Sequence, residues 1–204
     1  MAESWEEIAG MDVAGMHDAA HGNHGPEEIL ESRAKVLGHS VHQMLIVFPL
    51  GLLATATVFD VLYWITERGA WAEASFLMIV AGVIGGLAAG VFGLVDYLAI
   101  PRRTRARRVG IIHGVGNVIV LGLYAVSWIQ RIPEESAPPQ IALILSIAGA
   151  SLAVVTGWLG GELVDRLGVG VDERAHLNAP SSLKGKPVPE RRTARRRPGV
   201  APFA

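Results

Sequence analysis

The amino-acid sequence predicts an all-α, polytopic membrane protein, folded as an antiparallel four-transmembrane-helix bundle with both termini cytoplasmic. Half of the 204 residues are hydrophobic, and the apolar residues gather into four long runs. Each run approaches the ~20 apolar residues that cross a hydrocarbon core of about 30 Å. Because lipid offers no partner to unpaired backbone groups, runs of this length without alternation must be helices. The uneven distribution of arginine between the connections indicates the orientation.

Three segments divide the chain. Residues 1–37 form an acidic tail that contains His and Met, residues 38–171 form the transmembrane domain, and residues 172–204 form a basic, proline-rich tail. The first apolar run follows a long acidic stretch, which excludes a cleaved signal peptide. Within the domain, the four runs predict helices over about 40–65, 74–100, 109–130 and 141–167.

Arginine placement sets the predicted orientation. The connections after the first and third runs carry Arg68 and Arg131, one each, whereas five arginines crowd the second connection. By the positive-inside rule, this arginine-rich connection and the arginine-rich carboxyl tail are cytoplasmic. Nucleic-acid binding is the other use of such runs, but their position beside membrane spans favours contact with the lipid bilayer, and we expect no nucleic-acid partner. The five arginines are Arg102, Arg103, Arg105, Arg107 and Arg108.

Glycine spacing predicts close packing of the helices. Gly82, Gly86 and Gly90 recur every four residues in the second helix. Small residues at this period let helix backbones approach one another in lipid. Gly114 and Gly116, on either side of the turn that follows His113, could leave room for a flat cofactor.

Polar side chains near the cytoplasmic ends of the helices form the candidate site. Ionisable groups inside a membrane bundle usually face its interior and mark a functional path. Antiparallel neighbours place different residue numbers at one depth, so a common layer is expected. Asp60 lies toward the outer end of the first helix and cannot join it. The layer comprises His39, His42, Asp96, His113, Asn117 and Glu162.

Several chemistries suit this layer. Imidazoles from two helices can ligate haem iron, with carboxylates orienting the rings. The same groups could hold zinc, copper or iron, or could bind a quinone and exchange protons near neutral pH. In a further interpretation, the histidines only hydrogen-bond to Asp96 or Glu162 and bind nothing. The chain has no cysteine, so c-type haem attachment and cysteine-ligated clusters are excluded, and no enzyme motif assigns a reaction.

The amino-terminal tail holds an alternative metal site. His17, His21 and His24 lie close together in the sequence beside Met16. Imidazole and thioether groups suit copper and other transition metals. Gly22 disfavours a stable helix there, which favours a solvated tail with incidental histidines.

Four motifs resemble one bacterial family. The segment Gly38-His-Ser-Val-His-Gln-Met-Leu-Ile-Val-Phe-Pro49 resembles the opening signature of the membrane proteins grouped as domain of unknown function 2231. Gly93-Leu-Val-Asp96, His113 with Asn117, and Gly157-Trp-Leu-Gly-Gly-Glu-Leu-Val164 resemble its later helices. The resemblance covers about residues 38–171.

Two departures from the family pattern concern the first helix. Ser40 and Gln43 stand where the family usually has proline, which favours His39 and His42 being already helical. Pro49 is present and predicts a kink, because proline removes a hydrogen bond and clashes with the preceding turn.

The resemblance implies a four-helix bundle in the bacterial inner membrane. Relatives of this kind occur joined to Rieske-type or cytochrome-c-type domains, which implies a link to electron transfer. These 204 residues contain neither domain, so a redox role needs a separate redox protein or a quinone.

The sequence-based hypothesis is a membrane redox protein that binds haem b near the cytoplasmic face through His42 and His113, with His39 as the reserve ligand. The alternatives are a non-catalytic accessory or assembly subunit of a membrane complex, and a membrane protein with a His/carboxylate metal site. The neighbours expected to orient the ligands are Asp96, Asn117 and Glu162.

Overall fold

The computed structural model describes residues 29–184. Two short strands, β1 (Lys35–Val36) and β2 (His39–Ser40), pair antiparallel before the first helix. A π-helical turn at Glu162–Arg166 continues the last long helix, and a 3-10 turn follows at Ser182–Lys184. The α-helices are α1 (Val41–Leu45), α2 (Val47–Thr66), α3 (Gly69–Ala99), α4 (Arg105–Arg131) and α5 (Gln140–Gly161).

Within residues 29–184, four helical segments are long and apolar enough to cross a membrane, which confirms the predicted all-α membrane fold with four long helices. The outward surfaces of these segments carry exposed Leu, Ile and Val side chains, as contact with lipid requires. The second transmembrane helix, α3, starts at Gly69, five residues before the predicted position 74. The third, α4, starts at Arg105, four residues before the predicted position 109. The segments are Val41–Thr66, Gly69–Ala99, Arg105–Arg131 and Gln140–Arg166.

The start of α4 shows why its predicted boundary was late. Thr104 is the N-cap, and its hydroxyl accepts a hydrogen bond of 3.1 Å from the Arg107 backbone N–H. Arg105, Arg107 and Arg108 therefore belong to the first helical turn rather than to the connection. Only Arg102 and Arg103 remain in the turn, and we call this end of the bundle the arginine end.

The first transmembrane segment is interrupted where Pro49 requires it. Helix α1 ends at Leu45, four residues before Pro49, and α2 begins at Val47. The proline ring conflicts with the carbonyl four residues earlier and offers it no N–H, so the predicted distortion falls one turn before the proline. The expectation that both histidines would be helical holds for His42 but is wrong for His39, which pairs with Val36 in the β-ladder.

The helices pack as two hairpins, α2 with α3 and α4 with α5. Contacts of α3 with α4 and of α2 with α5 close the ring, so α2 and α4 face each other across its diagonal. Gly82 and Gly86 make the predicted close packing, because a Cβ atom there would lie 2.6 Å from Leu53 and 2.5 Å from Leu121. The prediction is wrong for Gly90, which has no such neighbour within 4 Å.

Segments from both ends of the described chain cover the arginine end. Leu30 forms a parallel bridge with Val169, and its carbonyl accepts a bond of 2.7 Å from the Gly170 N–H. Glu31 accepts hydrogen bonds from the Lys35 ammonium group and from the Glu173 N–H. These bonds, with Lys35 the main cause, hold the pKa of Glu31 below its ordinary value.

Candidate functional site

His42 lies in α1, half-buried against α3. Its Nδ1–H donates a hydrogen bond of 2.8 Å to the Ala89 carbonyl. The ring lies over Gly93, where a Cβ atom would come within 2.8 Å of the imidazole Cε1. The missing side chain at position 93 is therefore what allows the ring to lie flat on the neighbouring helix.

His113 lies in α4 and contacts α5 in the same way. Its Nδ1–H donates a hydrogen bond of 2.8 Å to the Thr156 carbonyl. Gly160 lies beneath the ring, and a Cβ atom there would be 3.1 Å from Cε1. In both cases the carbonyl and the glycine are one helical turn apart on the partner helix.

The two backbone carbonyls determine the tautomer of both rings. A carbonyl oxygen only accepts hydrogen bonds, so each Nδ1 must carry the proton, and in the neutral imidazole Nε2 then holds a lone pair. Within residues 29–184, Nε2 of His42 makes no hydrogen bond. His42 belongs to the first transmembrane segment and His113 to the third, which are diagonal in the ring of helices. Each ring contacts the partner helix of its own hairpin.

Asn117 and Thr156 add a polar contact to His113 alone. The Asn117 amide nitrogen lies 2.9 Å from the His113 carbonyl and 3.2 Å from its Nε2. The Thr156 hydroxyl lies 3.1 Å from Asn117 Oδ1, which orients the amide. Asn117 therefore contacts the histidine as predicted. Gly116 leaves no gap for a cofactor, because the Thr156 methyl group fills the space beside it.

The structure does not bring His39 to the other histidines. Its ring is exposed, and Nδ1 lies 3.2 Å from the Leu37 carbonyl in the turn between the strands. The β-ladder ends before α1 begins, so His39 is not on the helical face of His42. As a reserve ligand it would need the local backbone to rearrange.

The two carboxylates of the predicted layer bind other groups. Asp96 accepts hydrogen bonds from the Ser32 hydroxyl at 2.8 Å and from the Arg33 N–H at 2.9 Å, so it anchors the segment before α1. Glu162 forms a salt bridge with Arg105 at 2.5 Å. Neither carboxylate makes a hydrogen bond to a histidine among the described residues, which corrects their expected role as orienting neighbours.

The described residues do not bring these groups together as a His/carboxylate cluster. Between residues 29 and 184, no three His, Cys, Asp or Glu side chains converge into a group that could hold a metal ion. The alternative site at His17, His21 and His24 lies outside the described residues.

The opposite end of the bundle contains a polar cluster that the sequence analysis missed. Asp60 lies away from the histidines, as predicted, but it is fully buried and accepts two hydrogen bonds of 2.7 Å from the equally buried Arg131. The Ser146 hydroxyl also donates to Asp60, while Ser75 and Ser127 accept from Arg131. Every transmembrane segment contributes a member, so this cluster joins all four.

The profile of a family described as predicted membrane proteins (DUF2231) matches residues 38–173, which is about two thirds of the 204 residues. The chain belongs to the DUF2231 family. No curated protein and no solved structure matches it. This DUF2231 chain is a multi-pass membrane protein, and the matched residues include His42, His113 and the buried cluster around Asp60.

Within this DUF2231 chain, the two polar clusters differ in what they leave available. Around Asp60, charges and hydroxyl groups are paired with one another. Around His42 and His113, Nδ1 of each ring donates to a backbone carbonyl. Among the described residues, Nε2 of His42 makes no hydrogen bond, whereas Nε2 of His113 lies 3.2 Å from the Asn117 amide nitrogen. A neutral imidazole nitrogen of this kind can bind a metal or accept a proton.

Proposed function

We propose that this protein is a membrane redox protein that holds haem b between His42 and His113 and exchanges electrons with a separate redox protein or a quinone. The arginine end then faces the cytoplasm, with both termini on that side of the bacterial inner membrane, because five arginines lie there. The observation that carries the proposal is the pair of imidazoles held by their Nδ1 atoms. Among the described residues, Nε2 of His42 makes no hydrogen bond, and Nε2 of His113 contacts only the Asn117 amide, 3.2 Å away.

The donor set favours haem over a bare metal ion. A structural zinc ion takes four protein ligands, and a catalytic one takes three. Here two imidazoles are on hand, while Asp96 and Glu162 already bind Ser32 and Arg105. A porphyrin brings four nitrogen ligands of its own, so fewer protein ligands are required, and His42 and His113 would hold the haem. When bound, the haem supplies one-electron chemistry.

The protein's own groups would prepare the ligands for this task. A histidine that donates its second N–H to a carbonyl has a fixed ring orientation and a more basic coordinating nitrogen. The carbonyls of Ala89 and Thr156 provide this bond for His42 and His113 respectively. The surrounding apolar helices keep bulk water away, which influences the reduction potential.

Titration of the purified protein with haemin tests the proposal. The full-length chain is extracted in detergent, titrated, and followed by its visible absorption spectrum, including the Soret band, as about one equivalent is added. We expect saturable binding with a low-spin, six-coordinate spectrum. His42→Ala and His113→Ala should each lose this spectrum. His39→Ala is the matched control, because it removes an exposed histidine three residues from His42 and should bind as the wild type does.

Circular dichroism and size-exclusion chromatography must show that each variant is folded before its spectrum is compared. The proposal is wrong if the folded wild type shows no saturable binding, or if the two ligand variants bind haem as His39→Ala does. In the first case, the histidines serve only packing, as expected of an accessory or assembly subunit of a membrane complex.

A further inference from the structure

The first and third transmembrane segments share a sequence pattern. Residues 42–54 and 113–125 align at a constant separation of 71 positions, with identical residues at six of the 13 positions. Both begin with the site histidine and contain Leu-Gly-Leu followed, after one intervening residue, by an alanine. The identical positions are His42, Val47, Leu50, Gly51, Leu52 and Ala54, matched by His113, Val118, Leu121, Gly122, Leu123 and Ala125.

The second and fourth segments repeat in the same manner. Here the separation is 67 positions, and the shared residues are all small. Four of them, Gly82, Gly93, Gly149 and Gly160, lie against a side chain of a neighbouring helix. The difference of four positions falls between Asp60 and Ser75 in the first hairpin and between Arg131 and Ala142 in the second, where helix ends and connection both differ in length. The matched residues are Ala81, Gly82, Gly90 and Gly93 in α3, and Ala148, Gly149, Gly157 and Gly160 in α5.

The buried positions follow the same two separations. All four buried residues of α2 correspond to buried residues of α4, and four of the five in α3 correspond to buried residues of α5. In α2 and α4 these pairs are Pro49 with Val120, Leu53 with Tyr124, Ala56 with Ser127, and Asp60 with Arg131. In α3 and α5 they are Ser75 with Ala142, Ile79 with Ser146, Gly82 with Gly149, and Ala89 with Thr156.

Individual contacts are repeated as well. Leu53 packs on Gly82 in the first hairpin, and its counterpart Tyr124 packs on Gly149 in the second. The histidines repeat the pattern described above, each bonded to a carbonyl four residues before the glycine beneath its ring. From these matches we infer that the membrane domain consists of two copies of one helical hairpin, residues 41–99 and 105–166, which meet through a self-complementary surface.

Counterpart residues touch each other along the centre of the bundle. The Tyr124 hydroxyl donates a hydrogen bond of 3.1 Å to the Leu53 carbonyl, and Arg131 binds Asp60. A residue that contacts its own counterpart lies on a two-fold axis, as in an isologous interface. The pseudo-two-fold axis therefore runs along the helices, and the site histidines lie on either side of it.

Opposite charges on this axis determine which hairpins pair. If two first hairpins met through this surface, two buried Asp60 carboxylates would face each other, and two second hairpins would oppose two Arg131 guanidinium groups. Like charges buried together are strongly unfavourable. The first hairpin, with Asp60, therefore pairs only with a second hairpin, which carries Arg131. The second hairpin of the same chain is always at hand for this pairing. Pairing between identical hairpins of two chains is excluded.

Charge reversal in the full-length chain tests this inference. Asp60→Arg puts two guanidinium groups on the axis, and Arg131→Asp puts two carboxylates there. We expect each single variant to lose the monodisperse peak in size-exclusion chromatography. The double variant Asp60→Arg/Arg131→Asp should regain it, with a thermal midpoint above that of either single variant. Arg105→Glu is the control. It reverses the charge at position 105 and so breaks the more exposed salt bridge to Glu162, but it should leave the monodisperse peak in place.

A second exchange separates a true repeat from an ordinary salt bridge. Ser146 donates to Asp60, and its counterpart in the first hairpin is Ile79. Ile79→Ser/Ser146→Ile should lower the thermal midpoint of the wild type, because Asp60 loses a donor. In the charge-reversed double variant the same exchange should raise the midpoint, because the hydroxyl introduced at position 79 then faces the carboxylate introduced at position 131. A fall in both backgrounds, or no recovery on double charge reversal, overturns the inference. Haem content enters neither readout.

Discussion

The two ends of the bundle both carry polar groups related by the pseudo-two-fold axis but use them differently. At one end, Asp60 and Arg131 are completely buried and bind each other and three serines. At the other, His42 and His113 are half-buried and bind only backbone or a neighbouring amide. A network whose polar groups all bind one another stabilises the fold, whereas a histidine nitrogen without a hydrogen-bond partner, such as Nε2 of His42, can still bind a ligand. The contrast separates the buried charge pair at one end from the proposed ligand site at the other.

The largest expected effect comes from breaking the closed network. Asp60→Leu leaves the Arg131 guanidinium buried without a counter-charge, which should cost about 3–5 kcal/mol of unfolding free energy. Adding Arg131→Leu removes the orphaned charge and should restore most of the loss. Thermal unfolding in detergent compares the two variants. Equal midpoints for Asp60→Leu and the wild type would contradict the buried pairing.

A smaller effect is expected from filling the space beneath the histidine rings. Gly93→Ala places a Cβ atom 2.8 Å from the His42 ring, and overpacking of this kind costs about 1–3 kcal/mol. We expect haemin affinity to fall at least about tenfold, which corresponds to about 1.4 kcal/mol. Gly160→Ala, with its contact at 3.1 Å, should weaken binding less.

Two neighbouring glycines provide the controls for this experiment. A Cβ atom at Gly90 or Gly157 would meet nothing within 4 Å. Gly90→Ala and Gly157→Ala should therefore bind haemin as the wild type does. If all four alanine variants weaken binding alike, the effect comes from helix stiffness and not from the space beneath the rings.

The asymmetry between the two histidines should have a modest effect. Thr156→Val removes the hydroxyl that contacts Asn117, and one hydrogen bond contributes about 1 kcal/mol. Because Ala89 occupies the counterpart position beside His42, the hydroxyl is not required to hold an imidazole. We expect a slightly lower thermal midpoint with haemin binding retained. Ser151→Ala, which removes an exposed hydroxyl from the same helix, should change neither quantity.

The smallest effect is expected at the covering segment. The folded pKa of Glu31 is lowered, so its contribution is complete above the unfolded value of about 4.3 and is lost as the pH falls through the folded value. A spin label on Val36→Cys reports the mobility of β1 in this cysteine-free chain. In Glu31→Gln the label should already be mobile at neutral pH. Identical pH profiles in both backgrounds would exclude a role for Glu31.

Most of the bundle could be predicted because the membrane makes hydrophobicity decisive. Apolar runs of about 20 residues leave few alternatives to helices, and antiparallel order places His42 and His113 at one depth. Depth does not determine rotation about the helix axis, however. Asp96 and Glu162 have the predicted depth but bind Ser32 and Arg105, and hydrophobicity contains no information about those partners.

The buried charge pair was missed because Arg131 ends an apolar run and was assigned to a connection. A signal for it is present in the sequence. Asp60 follows His42 by 18 positions, and Arg131 follows His113 by the same number. About eighteen residues make five turns of an α-helix, so Asp60 and Arg131 are predicted on the same helix faces as His42 and His113. Both charged side chains are buried inside the bundle. The repeat thus relates Asp60 to Arg131, which hydrophobicity alone does not do.

The bridge between Leu30 and Val169 has a consequence for the order of the chain. It places the beginning of the first hairpin beside the end of the second. The chain can therefore be circularly permuted, with a linker between these bridged residues and new termini opened at residues 101–104, where the two hairpins are joined by a short exposed turn. Such a permutant would translate the hairpins in reverse order and leave every contact across the axis unchanged.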